Sequence, residues 1–255
     1  MCILFEKEVP MGQIITVASG KGGAGKTTVA NGLARVLADM GYKVLLVDTD
    51  FGLGSAEFLL SGGDRVVYHL SDVASGQISL EKAVVSVNGE PDFLAAPPKE
   101  QSQVTWQQVA ATVSDAAGQY DYVFLDRPAG LDFSLESYLS SFYALVVTQP
   151  DNMGIRGASG ACSLLQQAGS EKCYVVLNRF RPKIVKVKAA PDIDTICERV
   201  GAQLLGIVPD DADLFSHQAT GTFSLKAPYG KALFRIASRL KGQPIPLPKL
   251  TKIMK

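Results

Sequence analysis

The densest chemistry in the sequence lies at residues 20–28, where Gly20-Lys21-Gly22-Gly23-Ala24-Gly25-Lys26-Thr27-Thr28 satisfies the pattern G-x-x-x-x-G-K-[ST]. Glycines at 22, 23 and 25 permit backbone conformations that a side chain forbids. Successive N–H groups can then turn inward on phosphate oxygens beside the positive end of a helix. In such a loop Lys26 holds the β and γ phosphates and the Thr27 hydroxyl ligates Mg²⁺. The flanks confirm the motif. The apolar run Ile14–Ala18 reads as the strand that precedes it, and Lys26–Met40 reads as the helix that follows it. That helix carries an apolar stripe of Val29, Leu33, Val36, Leu37 and Met40, and Gly41 stands at its C-cap. The ligand implied is ATP bound with Mg²⁺.

Two acidic elements supply the other parts that phosphoryl transfer needs. Val44–Val47 runs a buried strand into Asp48-Thr49-Asp50, and Tyr122–Leu125 runs another into Asp126, the Walker B form. Ligands of a doubly wound sheet bind at the carboxyl ends of its strands, so these acids emerge beside the phosphates. Asp48 and Asp126 are expected to support Mg²⁺, through its waters or from the second shell. An ordinary Asp, with a pKa of about 3.9, is too weak a base to deprotonate water, so Asp50 is assigned to orienting the attacking water. Arg127 follows directly, and three placements stand open for its guanidinium: on a phosphate, on Asp126, or in solvent.

The elements that position these residues follow from hydrophobic pattern. Ile14–Ala18, Val44–Val47, Tyr122–Leu125, Leu145–Thr148, Tyr174–Leu177 and Leu204–Val208 are apolar on both faces, as strands of a covered parallel sheet are, and Phe93–Ala95 is a further candidate. Helical periods are expected at 66–74, 106–117, 135–142, 157–167, 193–200 and 230–240, besides 26–40. The alternation gives an α/β fold, a doubly wound, mostly parallel sheet with helices on both faces. The expected organisation is an N-terminal extension over 1–12, an ATPase domain over 13–241, and a Pro-rich linker with a short basic tail over 242–255.

Composition sets bounds. The chain has 255 residues, 47% of them hydrophobic, and 25 basic against 25 acidic residues leave no net charge. No molecule-wide field therefore draws it to nucleic acid or anionic lipid, and any such binding is local. The basic stretch Arg179, Arg181, Lys183, Lys186 and Lys188 is either solvated loop charge or a DNA contact. Four widely spaced cysteines fit reduced thiols, and no apolar run approaches the roughly 18 residues of a membrane span. The expectation is a cytoplasmic protein.

Lys21 makes the loop specific, because a second lysine there duplicates the work of Lys26 within one chain and is available to reach outward. The string Lys21-Gly-Gly-Ala-Gly-Lys-Thr-Thr resembles the deviant Walker A box of the ParA/MinD/Mrp/nitrogenase-iron-protein family. Asp48-Thr-Asp-Phe-Gly-Leu-Gly, the stretch 65–76, Tyr120-Asp-Tyr and Pro128-Ala-Gly resemble the MinD branch in order, over about residues 13–240. The resemblance implies an ATP-sandwich homodimer in which Lys21 crosses to the partner's nucleotide, with slow hydrolysis that resets a switch in division-site selection or cellular positioning. It also implies adenine contacts from Asn178 and from the loop holding Pro209 and Asp211. Alternatives in the same group are flagellar-number or partition regulators, or a nucleotide-gated binding module with negligible hydrolysis.

Three departures from that family stand out. Arg127 replaces the small residue of its D-x-P-A-G box. Gly157 replaces the acid of an Arg-Asp pair used by regulators, which leaves the regulatory partner open. The tail Lys249–Lys255 sets Leu250, Ile253 and Met254 among lysines, either as a short amphipathic membrane contact presented twice by a dimer or as a frayed basic terminus.

Overall fold

The computed structural model describes residues 12–51, 65–87, 89–98, 104–183, 191–211 and 224–248. Of the expected extension 1–12 all but Gly12 lies outside the described residues, as do the tail 249–255, Lys186 and Lys188. Seven strands form one sheet: β1 Gln13–Ala18, β2 Val44–Asp48, β3 Asp92–Leu94, β4 Tyr122–Asp126, β5 Tyr143–Thr148, β6 Lys172–Phe180 and β7 Gln203–Pro209. Their order is β3-β2-β4-β1-β5-β6-β7, and every adjacent pair is parallel. The helices are α1 Lys26–Asp39, α2 Leu70–Ala74, α3 Leu80–Ala83, α4 Trp106–Ala117, α5 Asn152–Gln167, α6 Ile193–Val200 and α7 Pro228–Leu240.

Side chains alternate along each strand, and this alternation divides the core in two. Ile15, Val17, Leu46, Phe124 and Val176 join α1 and α7 in one apolar cluster. Ile14, Leu45, Val47, Val123, Leu125 and Val175 join α4, α5 and α6 in the other. Asp48 follows the parity of Val44 and Leu46, and Asp126 that of Tyr122 and Phe124. Both acids therefore fall on the α1 face.

Two helical expectations give way. Over 66–74 the helix begins only at Leu70, because the His69 N–H donates to Asp72 Oδ2 at 2.8 Å and closes a capping box that fixes the start. Over 135–142 only Glu136–Tyr138 forms a 3-10 turn. Leu135, Leu139 and Phe142 have helical spacing, but they plug one core from an irregular segment that passes straight into β5. In the other direction, α5 starts earlier than its glycines suggest, since Asp151 caps it by accepting from the Gly154 N–H at 2.8 Å.

Beyond α7 the chain is moored to the sheet. Arg239, 2% exposed, donates from Nη1 to the Leu205 carbonyl of β7 at 2.7 Å, from Nε to that of Ile245 at 2.7 Å and from Nη2 to that of Pro246 at 2.8 Å. Replacing Arg239 by Met keeps the apolar stem and strands three carbonyls. The expected loss is about 2–4 kcal/mol in urea unfolding, and a change within about 0.5 kcal/mol would mean that water satisfies those carbonyls equally well.

Candidate functional site

The glycine-rich loop leaves β1 and enters α1 at the middle of the sheet edge. Gly23 and Gly25 have φ of +73° and +92°, the left-handed region that favours glycine. A Cβ on Gly25 would also lie 2.2 Å from the Asn178 amide nitrogen. Lys26, at the first helical position, is 9% exposed. Thr27 is half-buried beside it, and its hydroxyl hydrogen-bonds Asp126. The Thr28 carbonyl accepts from the Tyr229 hydroxyl of α7 at 2.6 Å.

Neighbouring strand ends brace the loop from one side. Gln149 Nε2, just after β5, donates to the Gly23 carbonyl at 3.0 Å, and Asn178 Nδ2, near the end of β6, donates to the Ala24 carbonyl at 2.8 Å. Gly20 meets α5 backbone to backbone: a Cβ on Gly20 would lie 2.1 Å from the Gly157 carbonyl oxygen. A Cβ on Gly157 would in turn lie 3.0 Å from Gly20. That contact leaves little room for a side chain at 157. Lys21 stays at the surface, 3.6 Å from the Asp151 carboxylate, an exposed pair of the kind that contributes little and opens readily.

The acids lie on the other side of the loop. Asp48 and Asp126 are partners in the β2–β4 register and are 0% and 1% exposed. Asp48 Oδ1 accepts from the Asp50 N–H at 2.8 Å, which fixes the turn that carries Asp50. Burial pushes the Asp126 pKa up to about 7; the Thr27 hydroxyl opposes the rise, Asp48 adds to it, and Lys26 opposes it. Burial also raises Asp50, with Lys26 and Arg127 opposing. Asp126 Oδ1 is buried without a hydrogen bond. An orphaned carboxylate oxygen beside a Lys-Thr pair and a like charge fits a divalent cation bound with a polyphosphate. Thr27, Asp48 and Asp126 are the residues that would hold it.

Arg127 takes none of the three placements the sequence left open. It is 2% exposed and lies on the sheet face opposite the loop, with Nε 2.9 Å from Oε1 of the wholly buried Glu136. One residue past Asp126, it follows the strand's alternation to the α4 side. The contact is an ion pair, not a well-aligned hydrogen bond.

The residues expected at the adenine sit at the same edge of the sheet. Asn178 is 4% exposed and keeps its amide on the loop. Arg179 after it has φ of +51°, at an irregularity in the β6–β7 register. Pro209 ends β7, and Asp211 Oδ2 accepts from the Tyr229 N–H at 3.3 Å near the start of α7. Sequence reasoning missed Gln149 and Glu136. Gln149 leaves β5 next to β1 in the sheet, a placement that only the strand order reveals.

A family model for the CobQ/CobB/MinD/ParA nucleotide binding domain matches residues 15–225. The chain belongs to this family. Among ParA/MinD relatives, the septum site-determining protein MinD of Bacillus subtilis is 34% identical over 93% of this chain and 92% of its own. The MinD of the Aquifex aeolicus MinC:MinD complex superposes with a TM-score of 0.83 at 31% identity, covering 93% of this chain and 99% of that one. A Pyrococcus horikoshii MinD solved with Mg-ADP gives 0.75 at 27% identity, covering 95% and 98%. The chain is thus a MinD-like member of the ParA/MinD family, and the likeness favours that branch over the flagellar-number and partition regulators.

The Asp126 shift predicts a pH dependence for the nucleotide-free protein. A carboxyl raised from 3.8 to about 7 on folding binds more protons folded than unfolded between those values. Its contribution to stability is therefore complete below about pH 4 and is lost as pH rises through about 7. Asp126→Asn removes that loss, so thermal melts should show it gaining on the parent between pH 5 and pH 8. A constant difference across that range would place the proton elsewhere.

Proposed function

We propose that this chain is a MinD-like ATPase switch in division-site selection: ATP closes a homodimer, the closed dimer engages a regulatory protein or a membrane surface, and slow hydrolysis releases it. The observation that carries the reading is the position of Lys21. Its ammonium stands at the outer lip of the phosphate loop, held among the described residues by the exposed Asp151 pair, while Lys26 already occupies the inner position. A cation so placed is able to leave Asp151 for a triphosphate presented by a second copy.

Mg²⁺, when bound, spreads charge from the β and γ phosphates. The backbone N–H groups of residues 20–28, with Lys26, hold the phosphates. Asp50, on its Asp48-fixed turn, is suited to align a water in line with the γ-phosphate. Removing bulk water as the dimer closes strengthens each of these contacts. Arg127 faces away from the phosphates, so its presence in the D-x-P-A-G box gives no reason for negligible hydrolysis. The relatives' names support the division-site reading, and a MinC-type regulator is the partner class that the Aquifex aeolicus complex suggests for this chain. Among the described residues no helix is long and apolar enough to cross a membrane. Membrane contact on this reading falls to Lys249–Lys255, and the location is cytoplasmic or peripheral.

Light scattering after size exclusion tests the dimer. With MgATP the parent should elute as a dimer and with MgADP as a monomer, whereas Lys21→Ala should bind MgATP yet stay monomeric. ATP-dependent dimerisation of Lys21→Ala would sink the assignment. Flotation with anionic liposomes tests the membrane arm: it should require MgATP and be lost in a chain ending at Pro248.

A further inference from the structure

Phosphate binding accounts for the α1 face of this edge of the sheet, but the α4 face holds a second polar assembly that it does not require. The Arg127 guanidinium is at its centre. Besides its ion pair with Glu136, Nη1 donates to Thr49 Oγ1 at 3.3 Å and Nη2 to the Asp132 carbonyl at 3.0 Å. The guanidinium carbon lies 5.1 Å from the ring centroid of Trp106, the first residue of α4, and the Trp106 ring lies 5.2 Å from that of Phe51. Thr49 sits between the two acids of the β2 loop. Its N–H and its hydroxyl both donate to the Asp126 carbonyl, at 3.0 and 2.8 Å.

One planar cation thus touches the loop that carries Asp48 and Asp50, the loop that leaves Asp126, and the start of α4. A guanidinium suits that task because its donors are rigidly forked, which an ammonium cannot imitate. Net stability is a poor explanation for the pair, since well-packed apolar side chains of similar volume commonly replace a buried ion pair at no loss.

We propose that Arg127, with Glu136 as its counter-charge, is a positioning residue for ATP hydrolysis that makes the two acid-bearing loops and Trp106 shift as one unit when nucleotide binds. The inference rests on the ATPase reading above. Arg127 acts through Thr49 and the Asp132 carbonyl, without contact to phosphate.

Removing Arg127 alone is a poor test, because it leaves Glu136 in the core without its counter-charge. The informative variant is the double replacement Arg127→Met with Glu136→Leu, read beside Arg127→Lys, which retains a counter-charge for Glu136. Trp106 is the one tryptophan of the chain, so its emission reports the assembly directly. In the parent, MgATP should change that emission. The double variant should melt near the parent and bind a fluorescent ATP analogue within about threefold of it, while kcat falls about tenfold or more at nearly unchanged KM. Its MgATP-induced emission change should disappear. Arg127→Lys should fall between the two in kcat.

Parental kcat together with a parental emission change in the double variant would overturn the proposal. Should the double variant fail to fold, parental kcat and emission change in Arg127→Lys would overturn it instead. If the parent binds MgATP but does not hydrolyse it, the ATPase reading fails separately and emission alone decides. A change present in the parent and absent in the variant upholds the coupled movement, and a change absent from both, or equal in both, refutes it.

Discussion

Two carboxylates buried side by side set the terms for the rest of this molecule. Asp48 and Asp126 end adjacent parallel strands in register and share one face of the sheet. Each is all but sealed from water, and the Asp48 charge adds to the cost of ionising Asp126. Apolar surroundings alone would leave the pair as a pure liability. What surrounds them is Lys26 and the Thr27 hydroxyl on the phosphate loop, the Asp50 N–H on Asp48, and one carboxylate oxygen left without a donor. That one oxygen, Asp126 Oδ1, buried beside a second carboxylate, favours a cation arriving with its own ligands.

The strand order turns that local strain into a site. With β1 at the centre, β2 and β4 bring acids to one flank of the loop, and β5 and β6 bring the amides of Gln149 and Asn178 to the other. The buried acids lie on one side and the amide hydrogen bonds on the other. Close backbone packing of Gly20 on Gly157 then fixes how near α5 stands, with no room for a larger residue at 20.

Much of this is legible in the residues. The phosphate loop, the Walker B strand and the seven strand positions follow from glycine spacing and doubly apolar runs, and those sequence signals are local. What stayed hidden depends on neighbours remote in sequence. Leu135, Leu139 and Phe142 imitate a helix because a segment that plugs a core at intervals can share its spacing. No local signal in the sequence announces that Asp211 accepts from the Tyr229 N–H near the start of α7. Arg127 was within reach. Asp126 has to face the loop, and a strand that places one residue toward α1 turns the next toward α4. Its counter-charge, nine residues on in an irregular segment, carries no sequence signature.

The Arg239 clamp concerns how the chain bears load. By binding carbonyls of β7 and of the segment after α7 at once, it makes the exit of the polypeptide part of the sheet and not a slack leash. Tension applied beyond Pro248 is delivered to the strand next to β6, which carries Asn178 and so reaches the rear of the phosphate loop. Through those bonds residues 245 and 246 belong to the same rigid frame as the strands that brace the loop.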